Sequence, residues 1–322
     1  MRRRSRYSLL IAAALLATLG ILLFLRFHAP PEVARLLPES DAILYVNLKP
    51  IRATSHFDEK PVTPTADYYK RFIDATGIRF DRDLDRAAFS LHRMPNPDGP
   101  NGPVAYSWVF EGRFDSGHLI QYLAGLSNAQ ETYAGHTIYT VPVEGRLLRI
   151  TTLGYDMVAG SNMPTTEQIH SIIDRYGAAA TPFSGSSLLS ARFREVPLFS
   201  LAWGIGHVGL PFSENGKIKV LGLTLPLPED TDLIASASFR GSVHLRVEEL
   251  APSQTDAASS ASTLTTILNL VRGFAPSTGT PEDAAVHELL SSLKIDQHRD
   301  RVVLTGTVPP QLLKNLTEPP SR

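Results

Sequence analysis

The chain has 322 residues, 43% of them hydrophobic and 20% charged, with a formal net charge of −1 and no cysteine. The missing cysteines exclude disulfides, thiolate metal sites, a Cys nucleophile and a lipoprotein anchor. Without the five arginines of residues 1–26, a stretch that holds no acid, the remainder carries −6, which speaks against nucleic acid or an anionic membrane surface as partner.

Taken in order, residues 1–7 form a basic tail with Arg2, Arg3, Arg4 and Arg6, and Ser8 to Leu25 is an uncharged apolar run closed by Arg26. At 1.5 Å per residue, eighteen helical residues cover about 27 Å, close to the hydrocarbon thickness of a bilayer, so the run reads as a transmembrane signal anchor. A cleaved signal peptide is the competing reading. The small pair Thr18 and Gly20 is followed by Ile21 to Leu25, so cleavage there leaves a greasy terminus, and Pro30 spoils cleavage after Ala29. The arginine asymmetry puts the N-terminus in the cytoplasm of an inner membrane and the main domain in the periplasm or outside the cell.

After a spacer, residues 26–36, the first half is expected over 37–180. Ala42 to Leu48 is β-branched and aromatic and reads as a strand. Pro50 to Thr65 reads as loop, then Tyr69, Phe72, Ile73 and Thr76 recur at helical spacing up to Gly77. Ala87 to Leu91 and Val104 to Phe114 are strands around the Pro/Gly-rich turn Met94 to Pro103. Asp115 suits the N-cap of a helix with Leu119, Ile120, Leu123 and Leu126 on one face. A meander follows over His136 to Val141, Leu147 to Thr152 and Met157 to Gly160, and Pro164 opens a helix bearing Ile169, Ile172, Ile173 and Tyr176.

A Ser/Gly stretch, 181–187, is the expected linker to the second half, 188–318, with a tail at 319–322. Strand-like runs stand at Leu198 to Trp203, Lys217 to Leu225, Leu233 to Arg240 and Val243 to Glu248. Ser253 to Ser262 is low in complexity and reads as a mobile loop. Two helices follow, one with Leu264, Ile267, Leu268 and Val271, the other opened by the capping-box-like Thr280-Pro281-Glu282-Asp283. Ile295 and Val302 to Val308 form a hairpin, with a short helix after Pro309-Pro310. The strand-to-helix steps Met157 to Pro164 and Val303 to Pro310, and the strand ends Val109 to Gly112 and Ser238 to Gly241, suggest a duplication.

Motif matches fail on context. Gly204-Ile205-Gly206-His207-Val208-Gly209 fits a dinucleotide fingerprint with Glu229 downstream, but Pro211 denies it the helix the pyrophosphate needs, so a wide turn or bulge is expected. Ser291-Ser292-Leu293-Lys294 fits S-x-x-K without the K-T-G and S-D-N elements of penicillin-recognising enzymes. Asp296, His298 and Asp300 alternate as metal ligands would, yet the flanking Arg299 and Arg301 favour a solvated hairpin tip. Asn315-Leu316-Thr317 is a lone glycosylation triplet. Trp203 with the apolar run Ile218 to Leu227, and Tyr106, Trp108 and Phe110 on one strand face, read as core; the first group is also a candidate apolar groove.

The anchor and the start Leu37-Pro38-Glu39-Ser40-Asp41-Ala42-Ile43-Leu44-Tyr45-Val46 resemble those of uncharacterised membrane-anchored bacterial proteins. That resemblance implies a duplicated α+β domain and transfers no catalytic residue. The expected architecture is α+β, antiparallel sheets with amphipathic helices packed on them, in two similar halves behind one N-terminal transmembrane helix. No residue is assigned a catalytic, cofactor-binding or metal role. The expected function is non-enzymatic binding or scaffolding at the envelope, with the lipid bilayer as partner through Ser8 to Leu25 and a further envelope protein or hydrophobic ligand. A periplasmic carrier or chaperone for such a ligand is the alternative, and an enzyme with an unrecognised site is third.

Overall fold

The strand β1 (Ala42–Asn47) turns Ile43 and Tyr45 to one face and the intervening Leu44 to the other, the period-two alternation of a pleated strand. In the computed structural model, which describes residues 18, 20, 29–55, 58, 67–99, 102–178, 184–207, 217–220, 223–226, 231–239, 241–274 and 280–312, β1 lies inside a twelve-stranded antiparallel sheet. On one side of it come β2 (Leu84–Arg93), β3 (Val104–Gly112), β7 (Met157–Ser161), β6 (Arg146–Leu153), β5 (His136–Val143) and β4 (Ala129–Tyr133). On the other come β8 (Ala202–His207), β11 (Asp232–Phe239), β12 (Val243–Leu250), β14 (Arg301–Val308) and β13 (Lys294–His298). β9 (Lys217–Val220) and β10 (Leu223–Pro226) form a separate hairpin.

The fold is therefore α+β, but a single sheet replaces the expected plural ones, because β1 pairs with β2 along one edge and with β8 along the other. Read outward from that seam, the order is alike on both sides: β2, β3, β7, β6 against β11, β12, β14, β13. The steps at Met157 to Pro164 and Val303 to Pro310 occupy matching places in this order. The other sequence pairing does not. Gly112 closes β3, which runs into a helix, whereas Phe239 closes β11, which turns into β12.

Register explains the core. On the first face, Trp203, Tyr45, Ala88, Val109 and Ala159 lie side by side across five strands. Three helices cover this face: α1 (Glu32–Arg35) with Val33 and Ala34, α6 (Glu167–Gly177) with Ile169, Ile172 and Ile173, and α7 (Ser187–Arg192) with Leu188 and Leu189. Each isoleucine of α6 is fully buried and contributes about 1.5–3 kcal/mol. On the second face, Leu44, Phe89, Trp108 and Gly160 are aligned. There α5 (Ser116–Leu126) buries Leu119 and Leu123 against Tyr139, Val141 and Val158. Its Asp115 carboxylate accepts from the amides of Gly117 and His118, as an N-cap should.

Several expectations change. Leu48–Ser55 is a helix, α2, despite Pro50, because proline in a first turn has no intrahelical amide bond to lose. α3 (Asp67–Thr76) ends at Gly77, whose φ of 68° suits glycine, and α4 (Phe80–Asp83) leads into β2. Ser253 to Ser262, expected as a loop, belongs to α8 (Gln254–Gly273). Ser253 Oγ accepts from the Asp256 amide, and Ala257 and Ser260 are buried. Small residues here let the helix approach the sheet. α9 (Pro281–Ser292) begins with the full Thr280/Asp283 capping box. The linker stretch ends as the N-cap of α7, Ser186 accepting from Leu189 N.

Among the described residues no helix is long and apolar enough to cross a membrane. The run Ser8 to Leu25 lies outside them except for Thr18 and Gly20, both helical. Asn315 to Thr317 and the side chains of Ile218 to Leu227 also lie outside them.

Gly204 and Gly206, read from sequence as part of a turn or bulge, sit inside β8. A Cβ on Gly206 would stand 2.8 Å from Ala42 Cβ, with the backbone of Asp41 and Ala42 close behind, while one on Gly204 would stand 2.8 Å from Leu44 Cδ2, the far end of a flexible side chain, and in ordinary contact with Ile43 O at 3.7 Å. Gly206→Ala is therefore expected to cost about 1–3 kcal/mol and Gly204→Ala less than about 1 kcal/mol. Urea unfolding followed by tryptophan fluorescence measures both.

Candidate functional site

On the first face beyond α7, the sheet is left partly uncovered and forms a cleft of about 630 Å³. Its floor is aromatic. The β1·β8 pairing stacks Tyr45 on Trp203 at 5.3 Å, and Phe193, from the 3-10 turn Phe193–Glu195 after α7, meets Trp203 edge-on at 5.4 Å. Burial pushes the Tyr45 hydroxyl up to about 12, so it is a neutral donor at physiological pH.

The far wall is charged. Arg301, at the start of β14, donates at 2.8 Å to Glu195 and at 2.8 Å to Glu248 of β12, and Arg246 holds the other Glu248 oxygen at 2.8 Å. Arg246 and Glu248 share a face because they are two apart on one strand. The Arg301 hydrogen bond holds the Glu195 carboxyl below its usual range against the opposing cost of burial. The same two carboxylates drive Arg301 upward, so it stays cationic. Three arginines, with Arg194 beside Glu195, face two carboxylates here, which leaves the wall net positive.

The near rim is the turn Pro197–Ser200, closed by Ser200 N and Oγ on Pro197 O. Phe199 stands there at φ 64°, a region that bulky residues seldom adopt, with its side chain 78% exposed. Ala29 and Pro31 complete the lining, which brings the N-terminal end of the described domain to this cleft.

A smaller hollow of about 370 Å³ continues along the same face past Arg246 and Pro197 and reaches Ser292 and Lys294. This is where the S-x-x-K match falls. Ser292 Oγ accepts from Thr307 N at 2.9 Å and lies 2.8 Å from Leu289 O, so its hydroxyl ties α9 to β14 and is not placed as a nucleophile. His298 and Asp300 are exposed at the β13–β14 tip, where Arg299 takes a positive φ, and among the described residues no group of three or more His, Cys, Asp or Glu can hold a metal. Trp203 is core, as expected. Tyr106, Trp108 and Phe110 are not fully so: Tyr106 is exposed and the other two are half-buried, with their rings 4.3 Å apart.

One constellation went unnoticed in the sequence. Ser90, Ser107 and Ser161 are aligned across β2, β3 and β7. His92 Nε2 lies 3.1 Å from Ser107 Oγ and 3.3 Å from Ser90 Oγ, and Ser107 Oγ donates to Ser161 Oγ at 3.0 Å. The spacing is that of a nucleophile and its base. All four side chains are buried and line neither the cleft nor the smaller hollow, and the ladder satisfies their polar groups within the sheet. The alternation S-x-H in Ser90 to His92 was its only sequence signal. The cleft residues Glu195, Arg246, Glu248 and Arg301 were equally hidden, since they meet only when β12, β14 and the turn after α7 come together.

Burial lowers the His92 pKa, while Asp41 and the Glu39 carbonyl oppose the shift. In the unfolded chain a histidine titrates near 6.5, so there the unfolded state binds the proton first. Stability from neutral His92 is complete above about 6.5 and is lost as pH falls, by up to roughly 1.4 kcal/mol per pH unit. Urea midpoints at pH 7.5 and 5.5 are expected to show this slope and His92→Gln to flatten it. Arg301→Ala is expected to cost about 1–3 kcal/mol at pH 7, because Glu248 is buried and keeps only Arg246. The Glu195 part of that loss is present above its unfolded value near 4.3 and fades as pH falls through the lowered folded value, which a pH series of the same unfolding measurement reads.

No known family model matches this sequence, and no curated protein matches it. Among solved structures, the chain is similar to "Structure of crystal form IV of TP0453", with a TM-score of 0.45 and 12% identity over 90% of this chain and 98% of that one. It is also similar to "Structure of crystal form I of TP0453", with a TM-score of 0.45 and 13% identity over 89% and 97%. A likeness at that level transfers no activity, ligand or site to this chain.

Proposed function

We propose that this is a single-pass, membrane-anchored, extracytoplasmic binding or scaffolding protein whose binding surface is the cleft between Trp203 and Arg301. The carrying observation is that Ala29 and Pro31 line this cleft only a few residues after the apolar run Ser8 to Leu25. A tether that spans the bilayer thus delivers its domain with the cleft close to the membrane. The aromatic floor suits an apolar body, and the arginine-rich wall suits an anionic or polar end. The buried Ser90–His92–Ser107 ladder supports a non-enzymatic reading. The similar strand order on the two sides of the β1·β8 seam supports an origin by duplication.

The alternative, a carrier for a hydrophobic ligand, draws on the same floor of Tyr45, Phe193 and Trp203. Native mass spectrometry of the full chain released from detergent separates the two: a stoichiometric lipid lost in Trp203→Ala supports the carrier, and a ligand-free protein supports the scaffold. Because the chain has no cysteine, Asp98→Cys in the exposed β2–β3 turn gives one unique thiol for testing topology. A membrane-impermeant maleimide is expected to label it in intact spheroplasts. Labelling only after lysis would overturn the outward orientation.

A further inference from the structure

The strand registers fix which turns share an end of the sheet. Asn47 pairs with Arg86, Arg86 with Glu111, Glu111 with Met157, and Val46 with Ala202, which in turn pairs with Ala237. The turns beyond these residues therefore lie at one end. They carry Tyr155 between β6 and β7, Phe199 before β8 and Phe239 closing β11, all of them exposed. At the other end the described turns carry no aromatic side chain: Pro95 to Gly99, Glu144-Gly145 and Arg299-Asp300. From β7 to β11 the aromatic end runs over five strand spacings, roughly 24 Å at 4.8 Å each.

Single exposed apolar residues need no explanation, but three aromatics gathered at one end of a sheet do. Phe199 adds a second observation. Its φ of 64° would suit glycine or asparagine, so the position keeps its ring against backbone preference while leaving it in solvent. A third is chain geometry. Ala29 lines the same cleft as Phe199 and stands four positions after Leu25, a reach of at most about 14 Å.

We infer that the aromatic end of the sheet, Tyr155, Phe199 and Phe239, is a second membrane contact that seats these rings in the interfacial layer of the bilayer. The inference rests on the reading of Ser8 to Leu25 as a membrane anchor. Aromatic side chains favour that layer, where an apolar ring is buried and water stays within reach. The contact is apolar in nature, which fits a domain with net negative charge that gains nothing from anionic headgroups. Its consequence is orientation: a tethered domain otherwise free to tumble is held with the strands end-on to the membrane and the cleft opening along its surface.

The test uses the full chain, reconstituted in phosphatidylcholine vesicles, with single cysteines at Phe199→Cys, Tyr155→Cys and Asp98→Cys, each carrying an environment-sensitive fluorophore. Position 98 lies at the opposite end of β2 and is the aqueous reference. Lipid-borne spin labels near the headgroup are expected to quench positions 199 and 155 several-fold more than 98, with no change at high salt. Equal quenching at the three positions, in protein that floats with the vesicles, overturns the contact and leaves the anchor standing. A label at 199 shielded from water yet not quenched by lipid also overturns it, in favour of a protein partner. A chain that fails to float with the vesicles overturns the anchor, and this inference with it.

Discussion

The pairing of β1 with β8 is the interaction on which the rest of the structure depends. It joins strands about 160 residues apart in the sequence and converts two groups of strands into one sheet. The close fit is made by glycine, since Gly204 and Gly206 leave room for Leu44 and Ala42 across the strands. On the opposite face the same pairing stacks Tyr45 on Trp203. Without the seam there is no cleft floor, and each half has an open strand edge.

From that seam the two faces take different roles. The second face is apolar and is covered by α5 near β5 to β7 and by α8 near β13 and β14. The first face is apolar only at its centre, under α1, α6 and α7, and becomes polar in both directions. Toward β7 the polar groups are roofed over and satisfy each other in the Ser90–His92–Ser107–Ser161 ladder. Toward β14 the arginines reach solvent, and Arg301, Arg246 and Glu195, with the buried Glu248 between them, form the wall of a cleft. The same kind of side chain is thus structural on one side of the seam and available for binding on the other, because helices cover only one of the two.

Much of the local structure was legible in the sequence because it is set by local physics. Asp115 and the Thr280/Asp283 box cap their helices as read, since a cap needs only the next three amides. Helical spacing found α3, α5 and α6. The readings that failed are those where composition misled. Ser253 to Ser262 lacks the apolar stripe of a typical helix, yet it forms α8 because Ala257 and Ser260 fit closely against the sheet and Ser253 caps the first turn. Gly204 and Gly206 looked like a turn because glycine more often marks backbone freedom than a close approach between strands.

By itself the sequence determined the α+β class, most of the helix and strand positions, the absence of disulfides, and an uncharged eighteen-residue run ahead of the domain. These follow from side-chain periodicity, caps and composition, which act within a few residues. Only the tertiary structure decided that one sheet serves both halves, that a Ser–His pair is sealed inside it, and that Arg301 meets Glu195 and Glu248 from residues 106 and 53 positions away. Those depend on strand register and strand order, which are fixed by the packing of the whole sheet and leave no mark in any short stretch of the chain.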